Sequence, residues 1–131
     1  MKRKIALVLL HDSRKKILLQ HRDNSAKVLP DFWGFFGGNI EKGETPLEAI
    51  KREIKEELNY SLKNPNFMKK QDFKYPGFEG TMYIFIEKYD SVQKLVLNEG
   101  KDMGWFSVSQ AKKLKLADPG GKILDYAKGK Y

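Results

Sequence analysis

Between Gly38 and Tyr60 the chain crowds glutamates and one arginine around a glycine-containing loop and a short helix. The helix is specified by its ends. Thr45 is a good N-cap, Pro46 takes the first helical position, and Glu48 completes a capping box. Asn59 tolerates the left-handed conformation that closes a helix. The predicted helix therefore runs over 46–58, with Leu47, Ile50, Ile54 and Leu58 forming its core face. Glu53, Glu56 and Glu57 fall at i, i+3 and i+4 on another face, roughly a third of a turn away. Such a helix can pack on a sheet with one face and line a cleft with the other.

Like charges at this spacing destabilise a bare helix by a few tenths of a kcal/mol. A dication reverses the sign and makes the carboxylates hard oxygen ligands. The rest of the chain points the same way. It has no cysteine, and His11 and His21 are too few for a three-histidine zinc site. A metal here is held by oxygen, which selects Mg2+, Mn2+ or Ca2+. Arg52 lies beside the acidic face, where it can orient a carboxylate, and Glu44 can reach back toward the site from the preceding loop. Gly37, Gly38 and Gly43 allow tight turning and close approach, and a carbonyl near Gly37 is a further candidate metal ligand. A solvated face of alternating Lys and Glu would explain the helix alone, but not the glycines, Glu44 and Arg52 together.

The 131 residues fit one domain spanning 1–131, with one core. A net charge of +8 serves solubility and also draws anionic substrates. No basic helix or aromatic RNA-binding motif supports nucleic acid as a partner. No apolar run approaches the roughly 18–20 residues that span a bilayer. The run from Ile5 to Leu10 after Met1-Lys-Arg-Lys reads as a strand, not a leader. Absence of cysteine fits a reducing cytoplasm, the expected location.

Strands are expected over 3–10 and 16–22, joined by a turn at Asp12-Ser-Arg, then over 32–36, 67–75 and 81–89. Residues 76–80 read as a turn, 95–97 and 103–106 as short strands, and 108–114 and 119–128 as helices. This order predicts an α/β fold with a mixed sheet and helices on its faces.

Gly38, Glu44, Arg52, Glu53, Ile54, Glu56 and Glu57 stand at the spacing of the Nudix box, and the chain resembles the Nudix hydrolase family. Asn59 and Tyr60 replace the glycine and aliphatic residue that end the box. Trp33-Gly-Phe-Phe-Gly-Gly38 is similar to the family's lead-in, with Phe36 where proline is common. Asn98-Glu-Gly100 and Trp105-Phe106 are similar to a later segment of small members.

The resemblance implies an α/β/α sandwich with a central mixed sheet, and hydrolysis of a nucleoside diphosphate linked to another moiety. It implies Mg2+, with Mn2+ possible in its place, on Glu53, Glu56, Glu57 and the Gly37 or Gly38 carbonyl. Arg52 would orient Glu53 or a neighbour, and Glu44 would support the site through a salt bridge or a metal-bound water. Glu57 or Glu99 is the expected general base. Phe35, Phe73, Tyr75, Phe78 and Trp105 are candidates for stacking on a base, and Asp118 for a hydrogen bond to its edge. Asp118 also reads as a helix N-cap, and Tyr75-Pro76 as a turn signal. A nucleoside triphosphate or oxidised nucleotide is the favoured substrate, cleaved to monophosphate and pyrophosphate. ADP-ribose and dinucleoside polyphosphates are the alternatives, and a non-catalytic nucleotide-sensing or RNA-binding module is the alternative of another class. The partner is a small nucleotide, and the chain a monomer or homodimer.

Overall fold

The structure is a computed structural model and describes residues 2–118 and 121–131. Strand β1 (Lys2–His11) lies at the centre of a mixed sheet. It runs parallel to β6 (Phe78–Lys88) over its whole length, from Lys2 opposite Glu79 to His11 opposite Lys88. Its other edge is shared. β2 (Ile17–His21) meets it only at the His11–Ile17 hairpin end, and β4 (Phe36–Asn39) pairs antiparallel with Ile5–Val8. β2 also pairs with β3 (Trp33–Gly34) and β7 (Asp102–Phe106), and β5 (Asn66–Tyr75) closes the far edge against β6.

Alternation along these strands builds two cores. Val8, Leu10, Leu18, Phe36 and Phe85 pack beneath α1 (Pro46–Leu58), against Ala49, Ile50, Ile54 and Leu58. Leu9, Ile17, Leu19 and Ile84 pack on the opposite face against Ala111 of α2 (Val108–Ala111) and Ile123, Leu124 and Ala127 of α3 (Lys122–Ala127). The result is the α/β/α arrangement. Among the described residues no helix is long and apolar enough to cross a membrane.

Helix α1 has the predicted ends. Thr45 and Glu48 form the reciprocal capping box, and Asn59 is left-handed with φ 53°. Leu47 does not join the core face; it is 40% exposed, because the first turn overhangs the sheet. The expected strand over 32–36 is split at Phe35, which turns toward the α2–α3 core while Phe36 faces α1. The turn expected over 76–80 is only Pro76-Gly77, with Gly77 at φ 74°, so β6 begins at Phe78. Proline followed by a left-handed glycine is the type II signature. Residues 95–97 form no strand, because they are tied to a helix end. The Val96 amide donates to the Leu58 carbonyl at 2.9 Å, satisfying an orphan acceptor of α1. The helix expected over 108–114 stops at Ala111, and that expected over 119–128 is found as Lys122–Ala127, its Pro119 start lying outside the described residues.

Candidate active site

A cleft of about 300 Å3 opens where β4 and α1 meet the N-terminal half of β1. Glu53, Glu57 and Glu99 line one end. Each carboxylate has a structural reason for its place. Glu53 lies over the bare Cα of Gly38; a Cβ there would stand 2.5 Å from the Glu53 Cδ. Glu57 is only 4% exposed and accepts the Gly37 amide at 3.0 Å. Gly37 has no room for a side chain either, since a Cβ would fall 2.0 Å from the Ala6 carbonyl oxygen. Glu99 comes from a distant loop, held because the Asn98 amide donates to the Glu57 carbonyl at 2.9 Å and its side chain to the Glu56 carbonyl at 3.0 Å.

Burial, and then the neighbouring Glu53 and Glu99 charges, push the Glu57 pKa up to about 9. Burial also raises Glu53, although the Arg52 guanidinium pulls against it. Buried carboxylates that repel one another in an all-oxygen setting are a donor set suited to a hard dication. The residues present fit Mg2+ or Mn2+.

Arg52 organises this end from outside the cleft. It forms a fork with Glu44, Nε to Oε2 at 2.7 Å and Nη2 to Oε1 at 2.9 Å. It also donates to Glu53 Oε1 at 2.9 Å and to the Asn39 carbonyl at 3.0 Å. Glu44 accepts the Glu41 amide as well, and the hydrogen bonds from Arg52 hold its pKa down at about 2. Arg52 and Glu44 are thus positioning groups, and neither lines the cleft. Glu56 does not line the cleft; its side chain is 59% exposed, 3.5 Å from Arg52. Among the described residues no three such groups already stand at metal-ligand spacing. The Gly37 N–H, as distinct from the carbonyl expected to face a metal, donates to Glu57.

The other end of the cleft is aromatic. Tyr75 and Phe78 flank the Pro76-Gly77 turn, so they share a face, with ring centroids 6.4 Å apart and planes 17° from parallel. Phe73 packs on Phe78 at 4.7 Å. Among the described residues the buried Tyr75 hydroxyl has no hydrogen-bond partner, and burial pushes its pKa up to about 12. Phe35 borders the cleft but is 4% exposed, so it supplies floor more than a stacking plane.

Two expectations fail here. Trp105 is half-buried against the core under α1, 5.2 Å from Tyr89, because β7 alternation turns it away from the cleft. Asp118 is 4% exposed and spends both oxygens on α3, accepting from the Ile123 amide at 2.8 Å and the Leu124 amide at 3.1 Å. It caps that helix and is not free to read a base; its neighbour Ala117 borders the cleft instead.

Arg3, Arg22 and Gln20 also line the cleft and escaped the sequence reading. Arg3 lies 5.1 Å over the Phe78 ring. Alternation with Ile5 and Leu7 along β1 was the available signal for it. Gln20 is buried and donates to the Phe35 carbonyl at 3.3 Å.

The profile described as NUDIX domain matches residues 1–127. The chain belongs to the NUDIX family. Among its curated relatives is a dihydroneopterin triphosphate diphosphatase of Escherichia coli, 37% identical over 58 residues, covering 44% of this chain and 35% of that protein. The NUDIX chain thus matches about a third of that relative's length. An 8-oxo-dGTP diphosphatase of Buchnera aphidicola is 30% identical over 76 residues, covering 58% of each protein. The NUDIX domain of Shewanella oneidensis NrtR, solved with ADP ribose, superposes with a TM-score of 0.81 at 14% identity, covering 99% of this chain and 88% of that one. At that identity the likeness speaks for the NUDIX fold alone.

Proposed function

We propose that this NUDIX chain is a metal-dependent hydrolase of nucleoside triphosphates or oxidised nucleotides, giving a monophosphate and pyrophosphate. The observation that carries this reading is one cleft with buried Glu57 and half-buried Glu53 at one end and Tyr75 and Phe78 at the other. Its volume of about 300 Å3 suits a single nucleotide. The names of the two curated relatives, both acting on a triphosphate, support the same class.

Glu53 and Glu57, with the exposed Glu56 and a backbone oxygen at Gly37, are the residues that would hold Mg2+ or Mn2+. When bound, such an ion neutralises phosphate oxygens and acidifies water. Glu57 or Glu99 takes the proton of the attacking water, which adds to phosphorus as the pyrophosphate departs. Arg52 fixes Glu53, and Glu44 fixes Arg52. Phe78 and Tyr75 hold the base over the Phe35 floor.

A panel of dNTPs, oxidised dNTPs, ADP-ribose, diadenosine polyphosphates and nucleotide sugars, run with Mg2+ and with EDTA, tests this. Metal-dependent release of pyrophosphate from a triphosphate is expected, and loss of about 10²–10⁴ in kcat for Glu57→Gln or Glu99→Gln. Near wild-type kcat in both variants sinks the base assignment, and no metal-dependent turnover on the panel sinks the enzyme reading in favour of a binding module.

A further inference from the structure

Beyond the wall made by Leu29 and Phe78, a groove of about 330 Å3 continues from the cleft, sharing Val28, Leu29 and Phe78 with it. It runs between the loop before β3, the Pro76-Gly77 turn and Lys115. Its floor is apolar, its flanks are Lys27 and Lys115, and no acidic residue lines it. Lys115 Nζ is held 4.6 Å from the Phe32 ring centroid. Among the described residues neither lysine makes an ion pair, whereas Lys63, Lys101 and Lys112 each meet an aspartate. The adjacent Asp31 is already committed to His21 at 2.8 Å and Lys101 at 2.6 Å. The positive field of this groove is therefore not cancelled locally.

Its position tells what the field is for. The carboxylate end is marked by Gly37, opposite Leu7 of β1, while the Phe78 end lies beside the Lys2 end of that strand. At about 3.3 Å per residue those ends are about 17 Å apart, room for an extended nucleoside 5′-diphosphate between them. The groove shares none of the carboxylates. Resting on the proposed reaction, it lies past the nucleoside, away from the phosphates being cut. We infer that Lys27 and Lys115 bind a phosphate carried by the ribose of the substrate nucleotide. A 3′-phosphorylated nucleotide and the 5′ end of an oligoribonucleotide share that chemistry.

The test compares kcat/KM for ATP, adenosine 3′-phosphate 5′-triphosphate and the dinucleotide pppApA, with the guanosine series in parallel, for the wild-type chain and Lys27→Ala/Lys115→Ala. The wild type is expected to favour the ribose-phosphorylated substrates about tenfold at low salt, a preference that weakens as salt rises. The double variant should lose the preference while keeping its turnover of the plain triphosphate. Preference for both substrates assigns the groove to a ribose phosphate as such; preference for pppApA alone assigns it to an RNA end. Equal rates on all three in the wild type, or an unchanged preference in the variant, overturns the inference. Calorimetric binding of pApA against AMP in EDTA separates the two readings. A pApA advantage that vanishes in the variant upholds the groove even if no triphosphate is hydrolysed.

Discussion

The backbone amide of Asn98 donates to the carbonyl of Glu57 at 2.9 Å, so the residue that delivers Glu99 to the cleft is fastened to the helix turn that carries its partner carboxylate. A second bond, from the Asn98 side chain to the Glu56 carbonyl, reinforces the clip. Asn98→Ala removes only this second bond. Unfolding free energy should fall by about 0.5–1.5 kcal/mol, while kcat falls further than KM changes, because Glu99 loses its registration. Chemical denaturation beside steady-state kinetics checks this, and an unchanged kcat would show that Glu99 needs no such fastening.

Gly38 and Gly37 are neighbours with different obligations. The three atoms nearest a methyl at Gly38 all belong to the Glu53 carboxylate, at 2.5–2.7 Å, and a side chain can swing away. Gly38→Ala should therefore fold but bind Mn2+ about 10–100-fold more weakly. A methyl at Gly37 meets the Ala6 backbone at 2.0 Å, so Gly37→Ala should cost stability first. Mn2+ titration and thermal melts of both variants separate the outcomes; wild-type Mn2+ affinity in Gly38→Ala would contradict the account of Glu53.

Glu44 links the site to acid stability. Its pKa falls from 4.5 to about 2, chiefly through the hydrogen bonds of Arg52. A carboxylate whose folded value lies below its unfolded one stabilises the fold above the unfolded value and loses that contribution as pH falls through the folded one. Glu44→Gln should be less stable than wild type at neutral pH, with the gap closing between pH 4.5 and about 2. Melting curves across that range measure it, and a gap independent of pH would mean that the charge of Glu44 is not what stabilises.

Tyr75 carries a buried hydroxyl that no group among the described residues satisfies. Leaving such a group unpaired costs about 1–3 kcal/mol, so Tyr75→Phe should melt at the same temperature or higher. If that hydroxyl meets a polar edge of the base, the same change should alter kcat/KM ratios among bases by about tenfold or more. A variant with unaltered selectivity would reduce Tyr75 to an apolar wall.

What the sequence disclosed followed the range of the forces involved. Helix α1 was legible to the residue because Thr45, Glu48 and Asn59 act within a turn of its ends. The convergence of Glu53 and Glu57 on Gly37 and Gly38 was legible because helix periodicity and the glycines meet in one short stretch. Trp105 was misplaced because the adjacent Trp105 and Phe106 of a short strand do not reveal which takes which face, and pairing with Leu18 decides it. Alternation puts Arg3 on the face of Ile5 and Leu7, but that this face and Gln20 line a cleft is decided by neighbours that β1 and β2 acquire from distant parts of the chain. Asp118 carried two readings, and the nearby α3 amides took it.

The parallel pairing of β1 with β6 has a consequence for how this chain is born. Among the strands of this sheet the central one is synthesised before the others, and β2 and β4 can occupy one of its edges soon after. The other edge waits for Phe78–Lys88, and closing so long a loop is slow. Until then the apolar run from Ile5 to Leu10 presents an open ladder of amides and carbonyls to any passing strand. The nascent chain is at its most vulnerable to aggregation after α1 has emerged and before β6 has, and the lysines and arginine at Lys2, Arg3 and Lys4 are the charges that guard that edge.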